Sequence, residues 1–545
     1  MAAQPVDVLV VGGGIVGAAV ARDAALRGFR TALVDRGDFG NATSSRSSRL
    51  VHGGLRYLET GDLRLVFEAS HERRVLLRIA PHLVRPLPFV MPLYQGGRVS
   101  PWKLRAGMWL YDALAAFRNV QRHRWLGPRE TLRADPGLRQ KGLRGAALYY
   151  DAQTDDARLV LATARSAARA GALVANYADV TSLVKPDGQV RGAVVRDALD
   201  GATYNVRALL VVNAAGPWLD AVRRLDDPRA PPLLRFSKGA HVAVPRSRLT
   251  SPSAVTLLSP IDGRVMFVLP WGEIAYVGTT ETDHRGPPDD VRATGEDVVY
   301  LLRSANAFFP EARLTPDDVV STWAALRALV APRDARDAGR VSREHRLVES
   351  DGGLLSIAGG KLTTHRRMAA EVVDRVALRL RQLDGRPVPP RAATDAQPLP
   401  GGESADLDVL VDSVLVRDVA EPVARHLVAS YGSEAAGVLN LVQRNRVLGR
   451  PLVEGRPEIR AEVAYAVERE MAVRLTDVLA RRLHLLHLAP GASIKAASAV
   501  ARKMRELLGW GAEREADELA AYVEEVKRTR LFLTEVARSS KPAVR

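Results

Sequence analysis

Residues 6–37 read VDVLVVGGGIVGAAVARDAALRGFRTALVDRG, and this stretch decides the fold. Residues 8–11 form an unbroken apolar, β-branched run, the mark of a strand buried on both faces in a parallel sheet. Gly12, Gly14 and Gly17 then fit the spacing G-x-G-x-x-G. The first allows a tight turn, the second lets a pyrophosphate approach the backbone, and the third lets helix and sheet pack closely. The helix that follows points free N–H groups at the phosphates. A second strand at residues 31–34 ends on Asp35, placed to accept from a ribose hydroxyl and to repel a 2′-phosphate. Glycines, helix, second strand and acid in register make a dinucleotide-binding α/β unit.

NAD and FAD both use this unit, so the next segment must separate them. Residues 40–54, GNATSSRSSRLVHGG, carry too many Ser, Thr and Gly for a regular element. They read as an extended loop offering hydroxyls and bare backbone to an anionic or flat partner. An FAD continues past its pyrophosphate to the isoalloxazine, and the loop suits that path. The competing reading is a solvated linker; Leu50, Val51, Leu55 and Tyr57 would ordinarily anchor the loop instead.

The stretch ATSSRSSRLVHGGLRYLE (residues 42–59) resembles the signature of the FAD-dependent, respiratory-type glycerol-3-phosphate dehydrogenases, of the superfamily that includes D-amino-acid and sarcosine oxidases. YYDAQTDDARLV (149–160), NAAGPW (213–218), KGAH (238–241), VGTTETD (277–283) and GGKLTTHR (359–366) resemble that family's other blocks, in family order. The resemblance implies FAD as cofactor, held by Gly12, Gly14, Gly17, Asp35, Thr43, Ser44, Ser45, Arg49, Leu50, His52, Gly53, Gly54, Val180, Gly216, Gly360, Lys361, Leu362 and Thr363. It implies oxidation of glycerol 3-phosphate at C2 to dihydroxyacetone phosphate, with hydride passing to the flavin. Arg56, Tyr57, Thr280, Arg343 and Lys361 are then the substrate-binding residues, because phosphate clamps want arginine forks or a lysine point charge. Arg327 and His241 are the catalytic pair. An arginine is too basic to take the hydroxyl proton and suits stabilising a C2 alkoxide, whereas a near-neutral imidazole suits proton abstraction. The bareness of Gly53 and Gly54 is read as room for the flavin ring against backbone. Glu281, Ala328 and His365 depart from the family pattern, where aspartate, proline and tyrosine are common.

The expected fold is an FAD-binding Rossmann-type α/β domain assembled from discontinuous segments, 1–61, 146–218 and 341–383. Residues 62–145 and 219–340 form an inserted substrate domain, whose alternating β-branched and polar residues indicate an antiparallel sheet. Strand, glycine turn and helix recur at residues 354–377, with Thr363 and Thr364 in the helix's first turn. A Pro-rich linker at 384–404 leads to an all-α cap domain, 405–545. There residues 462–483 place Val463, Val467, Met471, Leu475 and Leu479 four apart, as in one amphipathic helix. His484 and His487 read as packing or surface residues.

The chain has no cysteine, which excludes disulfides, thiol nucleophiles and iron–sulfur clusters, and no His-Glu-x-x-His, so no metal site is expected. Its formal charge is +16, from 78 Lys+Arg against 62 Asp+Glu, which favours an anionic partner without choosing one. Residues 100–127, SPWKLRAGMWLYDALAAFRNVQRHRWLG, interleave aromatics and bases, which fits a helix in the interface of an anionic bilayer. The alternative is a cap helix with Leu104, Met108, Tyr111 and Ala115 as core. Further partners are quinone, as the resemblance implies, and a second copy in a homodimer, with a cytoplasmic location at the inner face of the membrane. Three alternatives stay open: glycerol-3-phosphate oxidase using oxygen, an amine or amino-acid oxidase, and a basic nucleic-acid-binding protein, the last supported by net charge alone.

Overall fold

Every residue of Val6–Val11 is buried, because the strand sits at the centre of a sheet covered on both faces. It runs parallel to Thr31–Val34 on one side and Thr203–Asn213 on the other. Leu173–Ala175 and Leu355–Ala358 extend the parallel sheet outward, and Arg346–Glu349 closes one edge antiparallel. The helix Ile15–Leu26 is buried nearly all round, since it packs on the sheet and between the helices Asp156–Arg169 and His365–Asp384. The computed structural model describes residue 1 and residues 4–54, 62–114, 120–331 and 345–539. Among these, no helix is long and apolar enough to cross a membrane.

A second sheet has ten strands. Its pairings are antiparallel except where Ala254–Leu258 meets Val84–Tyr94. Leu143–Thr154 runs in this second sheet, so the chain re-enters the nucleotide fold at Asp156 rather than at residue 146. Leu50–Val51 pairs with the end of the same strand and ties the cofactor loop to the second sheet.

The Pro-rich linker is tied to the first domain: buried Arg22 donates to the carbonyls of Thr394 (3.2 Å) and Gln397 (2.8 Å), and the Leu399 amide donates to Ile79. Residues 462–483, against expectation, are not one helix. Arg460–Glu470 stops at Met471, whose φ is 55°, and helix resumes as a π turn at Asp477–Arg482. The fourfold apolar spacing survives the break because Val463, Leu475 and Leu479 all reach one core. The Asp477 carboxylate caps the gap, accepting from the amides of Val473 and Arg474 at 2.9 Å each.

That break aims two consecutive arginines at the nucleotide fold. Arg481 and Arg482 both bond Asp38, which is fully buried after the second strand. Tyr177 donates to Asp477 at 2.6 Å, and Arg158 pairs with Glu470 at 2.7 Å across the same junction. Burial opposes ionisation of Asp38, but the guanidiniums of Arg482 and Arg481 outweigh it and hold the carboxyl down to about 2. A group depressed in this way stabilises the fold fully above its unfolded pKa and loses that contribution as the pH falls through the folded one. Asp38→Asn is therefore expected to destabilise by about 3 kcal/mol near neutral pH, with the deficit closing between about pH 4 and pH 2. Denaturant unfolding across that range checks it; a deficit independent of pH contradicts the ionic account.

Candidate active site

The glycine turn works as its spacing requires. A side chain on Gly12 would stand 2.6 Å from the Ala214 carbonyl oxygen, and one on Gly17 would stand 1.8 Å from that of Gly12. Gly14 faces Ser44, whose Oγ accepts from the Ile15 amide at 3.1 Å. Asp35 accepts from the amides of Gly13 (2.6 Å) and Gly37 (2.8 Å), and burial lifts its carboxyl to about 6 against the pull of those bonds. Gly12, Gly14, Asp35 and Ser44, with Val180 and Gly216, line a pocket of about 290 Å³, behind which Gly17 packs on Gly12. It shares Thr43, Ser44, Gly216 and Gly359 with a larger cavity of about 1000 Å³. The two make one trough, long enough in its lining to take a dinucleotide and a substrate end to end.

Leu50, His52, Gly54, Gly360, Lys361 and Leu362 line the larger cavity. So do Arg327, His241 and Thr280, and strand geometry brings them there. His241 pairs with Trp323, Gly239 with Ala325, and Ser237 with Arg327, so all six side-chain positions share one face of the sheet. Gly239 leaves the space across which Arg327 lies; a Cβ there would be 2.6 Å from Nη2. Arg327 donates to Thr279 Oγ1 at 3.0 Å and to the Thr280 carbonyl at 3.2 Å. The Thr280 hydroxyl accepts from the Ala240 amide at 2.9 Å. His241 stacks on Trp323 (5.2 Å between rings, 14° between planes) and its Nε2 lies 2.8 Å from Ser48 Oγ. Burial, with Arg327 and Arg49 adding to it, pushes His241 down to about 3.

Several expected contacts fall elsewhere. Arg49 is buried away from the trough, its guanidinium 3.5 Å over the Trp271 ring and 3.3 Å from His484 Nδ1, at the junction with the helical domain. His484 in turn bonds Asp155 at 2.6 Å. Ser45 faces a cleft on the far side of the loop. Thr363 and Thr364 are buried and precede the helix, which starts at His365. Gly53 is bare for another reason than the one expected: a Cβ would stand 2.3 Å from the Tyr111 hydroxyl and 2.6 Å from Ser70 Oγ. Its amide donates to Asp151, which also receives Tyr111 and Arg73. Of the departures, Glu281 and Ala328 line the cavity, Glu281 taking a 3.0 Å bond from Arg264, whereas His365 lies behind it, bonded to the Leu362 carbonyl. Arg56, Tyr57 and Arg343 lie outside the described residues. Ser48, Trp323 and Asp151 were missed; the four-residue spacing from Trp323 to Arg327, two strand periods, was the available signal for the tryptophan.

Residues 7–366 match the family of FAD dependent oxidoreductases, and residues 392–515 match the C-terminal domain of alpha-glycerophosphate oxidase. The chain is 36% identical over 514 residues to the aerobic glycerol-3-phosphate dehydrogenase of Staphylococcus haemolyticus, covering 92% of this chain and 91% of the relative. It is similar to the FAD-complexed glycerol-3-phosphate dehydrogenase of Bacillus halodurans, with a TM-score of 0.82, 32% identity, and 98% and 97% of the two chains covered. Glycine oxidase from Geobacillus kaustophilus shares the fold, with a TM-score of 0.51, 22% identity, and 68% and 95% of the chains covered.

Because Gly53 packs on Tyr111, Gly53→Ala is expected to push the adjoining loop into the trough and cut FAD retention. Flavin absorbance per protein after gel filtration should fall by more than half; full retention would contradict this packing.

Proposed function

Because the chain belongs to the FAD-dependent oxidoreductase family, and within it to the aerobic glycerol-3-phosphate dehydrogenases, we propose that it oxidises sn-glycerol 3-phosphate to dihydroxyacetone phosphate. The observation that carries the reading is the convergence of Arg327, His241 and Lys361 on the large cavity, with the glycine turn and Asp35 at the other end of one trough. Bound FAD supplies the acceptor for the hydride leaving C2. Lys361 holds the phosphate as a point charge, together with Arg56 and Arg343, and Tyr57 donates to the substrate. Thr280 orients Arg327 through its carbonyl. Arg327 faces the C2 oxygen and stabilises negative charge there. The hydroxyl proton goes to His241, paired with Ser48. An imidazole held near 3 is a weak base for a resting alcohol, so the proton leaves in concert with the hydride, while Arg327 stabilises the partial negative charge on the C2 oxygen and His241 serves as the neutral acceptor in place.

Arg327→Gln is expected to lower kcat by about 10²–10³-fold in a dye-linked assay with sn-glycerol 3-phosphate, while KM changes much less. His241→Asn should lower kcat by about 10²-fold or more. Since His241 stays neutral until the pH falls to about 3, the wild-type profile from about pH 5 to about pH 8 should carry no inflection that this substitution removes. An inflection near 6.5 abolished in His241→Asn would sink the assignment.

We assign the electrons to a membrane quinone, and the protein to the cytoplasmic face of the membrane as a homodimer. Support for surface binding comes from the helix Pro101–Leu114. It buries Leu104, Met108 and Tyr111 as core while exposing Trp102 (67%) and Trp109 (58%) beside Lys103 and Arg105. Trp102→Ser with Trp109→Ser should abolish most co-sedimentation with anionic vesicles and leave dye-linked turnover intact. The match of the helical domain to an oxidase domain favours oxygen as second acceptor; air reoxidising the substrate-reduced enzyme as fast as a soluble quinone would select it.

A further inference from the structure

Behind the cofactor loop, on the side away from the trough, lies a cleft of about 50 Å³. Its walls come from the loop (Ser45, Arg46), the strand Ser321–Val330 (Thr322, Trp323) and the helical domain. Four arginines reach it, Arg46, Arg292, Arg481 and Arg528, against one carboxylate, Glu525. Their carboxylate partners sit largely outside the walls: Arg292 bonds Glu535, Arg528 bonds Asp290, and Arg481 bonds Asp38 and Asp477. Arg46 is 3.5 Å from Glu525, longer than a good ion-pair hydrogen bond, and the fields of Arg481 and Arg528 act on it. Thr322, Thr476, Thr529 and His487 add polar groups to a lining that also includes apolar residues such as Val291 and Leu486. The space holds more than one water and so admits a small tetrahedral oxyanion.

We propose that this cleft is a second anion site, separate from the trough, which binds inorganic phosphate or the phosphate group of a small monoester and clamps the helical domain to the cofactor loop. Guanidiniums from both sides supply the bidentate donors that a phosphate dianion takes, and sites of this kind favour domain junctions. The position also couples it to the chemistry. Arg46 lines both cleft and trough. Trp323 lines the cleft and also stacks on His241, while its Nε1 donates to the Ser47 carbonyl at 3.2 Å. Thr43, at the start of the same loop, donates to the Leu326 carbonyl beside Arg327 at 2.8 Å.

Isothermal titration of the holoenzyme with inorganic phosphate, in wild type and in Arg292→Gln with Arg528→Gln, tests this. Neither residue touches the trough, so the variant should keep its flavin spectrum and turnover. The wild type is expected to bind one more phosphate per chain than the variant, whatever the trough itself binds, or to bind that phosphate at least about tenfold more tightly. Equal stoichiometry and affinity in the two proteins overturns the proposal, even if phosphate competes with substrate in both. A variant that has lost its flavin is replaced by Arg528→Gln alone, read the same way. Methyl phosphate in place of phosphate distinguishes the sources: binding in the wild type only extends the site to monoesters, and no binding restricts it to the free ion.

Discussion

Three backbone segments meet at one point with no room for a side chain. Gly12 lies under the Ala214 carbonyl and Gly17 rests on the carbonyl of Gly12, so strand, helix and the returning strand Thr203–Asn213 are locked in contact. Just over two hundred residues separate Gly12 from Ala214, and the whole of Val84–Tyr94 and Leu143–Thr154 is threaded through that interval. Closing the contact therefore fixes where the second sheet stands over the first. The trough is the space left between them, with the nucleotide-binding turn at one end and the face bearing Arg327 and His241 at the other.

Electrostatics then assigns the roles within that space. Arg327 is held by the Thr280 carbonyl and the Thr279 hydroxyl on the wall of the cavity, so its positive charge lies at the cavity's edge. The same charge, added to burial, keeps His241 neutral. A charged imidazole beside the guanidinium would be both costly and useless as a proton acceptor. On the far side, Asp38 gathers two arginines from the helical domain, so a domain whose described residues do not line the trough still braces the loop that does.

The glycine spacing, the second strand and Asp35 were legible because each answers a local backbone demand that no distant residue can alter. The sharing of one sheet face by Arg327 and His241 was less so. It depends on the register of Leu234–Pro245 against Ser321–Val330, two strands far apart in the chain. Gly53 shows the limit from another direction: its bareness was plain, but the group that demands it, Tyr111, comes from a helix nearly sixty residues later. The break at Met471 was hidden because residues on both sides of it feed one core, which preserves an apolar period across two separate helical pieces. Arg49 misled because a basic residue in a cofactor loop invites a phosphate, while the competing partners, Trp271 and His484, lie in other domains.

The visible spectrum of the purified holoenzyme, recorded anaerobically before and after addition of sn-glycerol 3-phosphate, tests the central claim most directly. The account predicts a flavin band that bleaches promptly with this substrate and not with glycine or unphosphorylated glycerol. A flavin that stays oxidised with glycerol 3-phosphate, or bleaches equally with an amino acid, would contradict it.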